Sequence, residues 1–81
     1  NALGMLALRA QANGEALGYF QRAAASYPED ASVQANLGLV LLRLGQPAEA
    51  LVPLRRALEI EPDNPKRARM LRDAETAAAG R

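Results

Sequence analysis

Apolar residues recur along the chain at the three- and four-residue spacing that is typical of amphipathic helices. Breaks in the pattern carry Gly, Pro or Asn, which commonly begin and end helices. Together the spacing and the breaks predict five helices, at about residues 1–11, 14–26, 31–44, 47–61 and 65–79. Val and Ile are scarce, which disfavours a β-sheet.

Local signals at the predicted helix ends support this division. Asp30 suits the N-cap of the third helix, and Gly45 suits its C-terminal end. Pro47 and Pro65 suit first helical turns, where a missing N–H costs no hydrogen bond. The pair Asn13-Gly14 is expected to form the turn between the first two helices.

The sequence repeats itself with a period of 34 residues. The aligned pairs are Leu3-Gly4 with Leu37-Gly38, Glu15-Ala16-Leu17 with Glu49-Ala50-Leu51, Arg22-Ala23 with Arg56-Ala57, and Pro28 with Pro62. Small residues repeat along with large ones, as expected where two antiparallel helices approach closely. Replacing Gly38 or Ala50 with Leu should therefore overpack the helix pair.

Both the period and the repeated residues resemble the tetratricopeptide repeat. The second unit carries Leu37-Gly38, Leu41, Ala50, Leu54, Ala57 and Pro62, and the first carries Leu3-Gly4, Ala7, Ala16, Phe20, Ala23 and Pro28. The resemblance covers about residues 1–64 and implies an all-α, right-handed α-solenoid of antiparallel helix pairs. Residues 1–81 then form one domain: an N-terminally incomplete repeat (1–30), a second repeat (31–64) and a capping helix (65–81).

Pro53 lies inside the fourth predicted helix and removes the hydrogen bond to the carbonyl of Glu49. Its position relative to Leu51 and Leu54 predicts an outward-facing side chain and a mild bend. Tyr19 occupies the equivalent position one repeat earlier, so the fold does not require proline there. Alanine is expected to be tolerated at this position, or to stabilise.

The composition disfavours an enzyme. The chain has no His and no Cys, the commonest sources of a general base, a thiolate nucleophile or a metal ligand. Its carboxylates and hydroxyls form no recognisable catalytic motif, and its glycines form no phosphate-binding loop. No cofactor, metal or small-molecule substrate is expected. No apolar run approaches the ~20 residues that a membrane-spanning helix needs.

The resemblance instead implies a protein–protein interaction module whose concave face is formed by the first helix of each repeat. The expected partner-binding residues are Met5, Leu8, Arg9, Asn36, Leu39, Leu42, Arg43, Lys66 and Arg69. Their apolar stripe and neighbouring cations predict a groove for a peptide or helix with apolar anchors and acidic residues.

Two alternatives remain open at this stage. The concave face could be buried within a larger tetratricopeptide protein or a homo-oligomer, so that the segment is structural. A weaker alternative is an RNA-binding helical repeat, because related helical arrays have a similar period, although their base-reading polar pairs are not evident here. The net charge of +1 and the lack of interleaved aromatic residues disfavour nucleic acid. The basic residues that crowd the last helix are Lys66, Arg67, Arg69 and Arg72, and we expect them to pair locally with Glu59, Glu61 and Asp63, and Arg69 with Asp73 along the helix.

Overall fold

The computed structural model describes residues 2–80, and the side chains of residues 14–80. Four helices follow in chain order: α1 (Ala2–Ser26), α2 (Ala31–Arg43), α3 (Pro47–Ile60) and α4 (Pro65–Ala79). Each helix packs against the next, and α2 also touches α4. The short connections make neighbouring helices antiparallel. The predicted all-α class and helical solenoid are confirmed.

Hydrogen bonds at both ends of α2 explain its boundaries. The Val33 N–H donates to the Asp30 carboxylate at 3.2 Å, which caps the N-terminus. At the other end Gly45 adopts a φ of 76°, a conformation in which a β-carbon would be strained. The N–H groups of Gly45 and Gln46 then donate to the carbonyls of Leu42 and Leu41, which is the Schellman pattern.

The first two predicted helices are one continuous helix, α1, so the predicted turn at Asn13-Gly14 is wrong. In the second repeat the turn relies on Gly45 at positive φ and on Pro47 at the start of α3. The 34-residue register places Gln11 and Asn13 at these two positions. Neither supplies the same local signal, and Gly14 weakens a helix by only about 1 kcal/mol.

The core between α2 and α3 is built around Leu54, which is fully buried at 0% exposure. It forms a cluster with Leu41, Ala50 and Ala74, so α2, α3 and α4 all contribute. A β-carbon placed on Gly38 would lie 2.5 Å from both Cγ and Cδ2 of Leu54. The absence of a side chain at residue 38 is therefore what lets α2 approach α3 so closely.

Pro53 is buried, which corrects the expectation that it faces outward. The expectation rested on its position relative to Leu51 and Leu54. However, Pro53 also lies three residues after Ala50 and four before Ala57, and both alanines are fully buried. Residues at these separations share one helix face, so Pro53 belongs to the buried stripe of α3.

The last helix, α4, begins with an Asn-Pro cap. The Asn64 side-chain oxygen accepts the N–H groups of Lys66 at 3.0 Å and Arg67 at 3.4 Å. Further along, Ala74 is fully buried and Met70 and Leu71 pack against the core cluster. One side of α4 thus covers the end of the core, while the other side is exposed.

Candidate functional site

The ends of α2 and α4 are tied together by the side chain of Arg67. Its Nη2 donates to the Ser32 hydroxyl at 3.3 Å, and its Nε donates to the Glu61 carboxylate at 3.1 Å. Only 15% of the Arg67 side chain is exposed. The contact with Ser32 holds the N-terminal ends of α2 and α4 side by side, and these two helices also touch each other.

The predicted site residues with described side chains are divided between α2 and α4, and we call the surface that they define the α2–α4 face. It comprises Asn36, Leu39, Leu42, Arg43, Lys66 and Arg69. On α2 the spacing from Asn36 to Leu39 to Arg43 is that of neighbours along one helix face. Lys66 and Arg69 are separated by three residues and are likewise neighbours on α4. The side chains of Met5, Leu8 and Arg9 lie outside the described residues.

The two leucines of the α2–α4 face differ in their surroundings. Leu42 is partly buried and packs against the core cluster around Leu54. Leu39 is also partly buried but is not a member of that group. Leu42 therefore contributes to the packing of the core, whereas Leu39 lies outside the core cluster.

Several cations on the α2–α4 face have no ionic partner. Among residues 14–80 the ion pairs are Arg56 with Glu29, Arg56 with Glu59, and Arg67 with Glu61. Arg43, Lys66 and Arg69 are exposed and belong to none of them. A pair between Arg69 and Asp73, expected from their spacing along α4, is not formed. Positive charge on this face is consequently available to an external anion.

The role of Arg67 in joining α2 and α4 is not among the predictions from sequence. The predicted pairing of Arg67 with a nearby acid is confirmed by its contact with Glu61. The contact with Ser32 joins residues 35 positions apart, so no local spacing could have shown it. The available signal was the repeat, since it places the starts of α2 and α4 one period apart.

A separate depression lies at the loop end of the molecule. It is an open depression of about 650 Å³ lined by Ser26, Tyr27, Pro28, Ile60 and Glu61, among others. Tyr27 is 66% exposed there. This depression is not among the features predicted from the sequence. Within the described residues no cluster of acidic side chains could hold a metal ion, and no helix has the length and apolarity to cross a membrane.

Comparison with known families identifies the architecture. A sequence model described as the tetratricopeptide repeat matches residues 1–65, most of the chain. The chain belongs to the tetratricopeptide repeat family. No curated protein and no solved structure matches it significantly. Tetratricopeptide repeats in general mediate protein–protein interaction or scaffolding and are typically non-catalytic, which agrees with the coarse function predicted from the sequence.

Membership of the tetratricopeptide family also explains why α2 and α4 share a surface. The first helices of successive units lie next to one another in such solenoids. Here α2 is the first helix of the second unit, and α4 follows it one period later. The α2–α4 face is therefore built from the helices that correspond to the first helices of successive units.

Proposed function

We propose that this chain is a non-catalytic interaction module that binds an acidic peptide or amphipathic helix across the α2–α4 face. The observation that carries the proposal is the set of exposed cations, Arg43 on α2 and Lys66 and Arg69 on α4, together with the partly buried Leu39 on α2. An apolar anchor on the partner would cover Leu39, and acidic residues flanking that anchor would meet the cations.

Electrostatics favours a protein or peptide over nucleic acid at this face. The chain carries a net charge of only +1 and has no Trp, one Phe and two Tyr. Neither α2 nor α4 contains an aromatic residue, and two of the three rings, Tyr19 and Phe20, contact each other edge to face on α1. The α2–α4 face therefore lacks the aromatic residues on which bases stack in single-strand binders.

The test begins with peptides selected from a random display library against the 81-residue chain. We expect the selected sequences to be enriched in Asp or Glu around a large apolar residue. Leu39→Glu should raise their dissociation constants at least about tenfold, equivalent to ~1.4 kcal/mol, because it removes the apolar contact and repels acidic residues. Added salt should weaken binding to the unmodified chain.

The matched control is Val52→Glu, which places the same new charge on a residue of α3 that is 71% exposed. This variant should bind the selected peptides with nearly unchanged affinity. Equal losses in the two variants, or peptides without acidic enrichment, would contradict the proposal. If Leu39→Glu instead dissociated an oligomer of the unmodified chain, the alternative of a face buried between copies would be favoured.

A further inference from the structure

The two repeats bury equivalent helix faces to different extents. In the second repeat the face of α3 formed by Ala50, Leu54 and Ala57 is completely buried, each residue having 0% exposure. The 34-residue register maps these residues onto Ala16, Phe20 and Ala23 of α1, and all three are only partly buried. The face of α1 formed by Ala16, Phe20 and Ala23 is therefore less completely covered by other residues than its equivalent on α3.

The cover in the second repeat is α2, folded back on α3 by the turn at Gly45. Gly38 lies against Leu54 in that arrangement. The equivalents in the first repeat are Gly4 and Phe20, but both belong to the continuous helix α1. They are 16 residues apart, which is about 24 Å along a helix axis. Gly4 therefore cannot contact Phe20 of the same chain while α1 stays straight.

We propose that a second copy of the chain covers this face, through an antiparallel pairing of two α1 helices. The segment 2–12 of each copy would take the position over residues 16–23 of the other that α2 takes over α3. Gly4 of each copy would then meet Phe20 of the other copy. The arrangement is symmetric about residue 12, so both contacts form at once in a closed, two-fold dimer.

The sequence of the first repeat retains the complementarity that this pairing needs. In the second repeat Leu41 and Leu54 belong to the same core cluster. Their equivalents are Ala7 and Phe20, so a smaller residue on one helix matches a larger one on the other. Compensating sizes are expected where two surfaces pack against each other, since cores tolerate volume-conserving changes best.

The second copy is the favoured occupant because α1 lacks the turn that would let its own segment fold back. Gln11 and Asn13 occupy the positions of Gly45 and Pro47. Exchange of an identical segment between copies replaces the intramolecular contacts with equivalent intermolecular ones, and a hinge that does not close favours that exchange. The pairing uses α1 and leaves the α2–α4 face free, so it is independent of the proposed function.

Cysteine cross-linking tests the pairing, because the chain has no cysteine of its own. The variant Gly4→Cys/Phe20→Cys should form a disulfide between two chains when oxidised, giving a covalent dimer on a non-reducing gel. A disulfide within one chain would show that the segment folds back, and would overturn the proposal. The absence of any disulfide in a variant that remains helical would overturn it equally.

Light scattering tests the pairing without altering the core. The unmodified chain should have twice its 8.6 kDa mass across a wide concentration range. Gln11→Gly/Asn13→Pro, which copies the turn of the second repeat, should shift it to monomer, whereas Gln11→Ala/Asn13→Ala should leave the dimer intact. A monomeric unmodified chain, or a dimer that survives the turn-forming variant, overturns the proposal. Leu39→Glu should not change the mass.

Discussion

Substitution of Gly38 by alanine should destabilise the protein although it favours the helix in which the residue lies. Alanine is about 1 kcal/mol better than glycine inside a helix. The new methyl group, however, would lie 2.5 Å from two carbon atoms of Leu54, whereas carbon atoms pack best about 3.5–4.0 Å apart. Leu54 has 0% exposure and is enclosed by the core, so it cannot move away freely.

The balance of these two effects sets the expected magnitude. Overpacking a core by a methyl group typically costs about 1–3 kcal/mol, which exceeds the gain in helix propensity. We therefore expect Gly38→Ala to lower the free energy of unfolding by up to about 2 kcal/mol, because helix propensity returns ~1 kcal/mol of the overpacking cost. For a domain of this size, each lost kcal/mol lowers the thermal midpoint by roughly 4–8 °C.

Urea unfolding followed by far-UV circular dichroism, at one fixed protein concentration, measures the effect. Gly18→Ala is the matched control, since Gly18 lies inside α1 and a β-carbon there would have nothing within 4 Å. That variant should gain up to about 1 kcal/mol. If Gly38→Ala stabilised the protein as much as Gly18→Ala, the close approach of α2 and α3 would be refuted.

A double-mutant cycle separates the clash from other effects of the methyl group. Leu54→Ala alone should cost about 2–5 kcal/mol, because it opens a cavity in the core. In that background Gly38→Ala should be neutral or stabilising, since the clashing atoms are gone. The coupling energy between the two sites should therefore reach about 1–3 kcal/mol, and a value near zero would show that Leu54 is not the obstacle.

Two further predictions concern the start of α4 and are measured by the same unfolding experiment. Asn64→Ala should cost about 0.5–2 kcal/mol because the N–H groups of Lys66 and Arg67 lose their cap; Asn36→Ala, at an exposed position in α2, should change stability by less than ~0.5 kcal/mol. Arg67→Met should cost about 1–3 kcal/mol through loss of its charged hydrogen bonds. Glu29→Gln, which weakens an exposed ion pair, should cost less than ~1 kcal/mol, and equal losses would contradict the structural role of Arg67.

The elements that sequence predicted well are those with local signals at both ends. Helix α2 lies between the Asp30 cap and Gly45, and α4 begins at Asn64-Pro65, so their bounds agree with prediction to within about a residue. The turn predicted at Asn13-Gly14 failed because a glycine beside an asparagine only weakens a helix. It does not impose the positive φ that Gly45 adopts.

Burial and contacts between distant residues were harder to predict than helices. Pro53 was expected to face outward because two leucines were used as the reference, although Ala50 and Ala57 on its own side of α3 are fully buried. The link from Arg67 to Ser32 depends on how α2 and α4 lie together. By contrast, helical periodicity was sufficient to place Asn36 and Arg43 on an exposed face, as the structure has them.

The alanine-rich interior has a consequence for how this sequence can change over time. Of the eight buried hydrophobic residues in the described part of the core, five are alanine: Ala31, Ala35, Ala50, Ala57 and Ala74. Such positions have little volume to lose, so truncating substitutions there remove few contacts. Almost any larger residue would push two helices apart. Substitutions in this interior are therefore constrained against larger side chains. Variation should accumulate through exchange among small residues rather than through an increase in side-chain size.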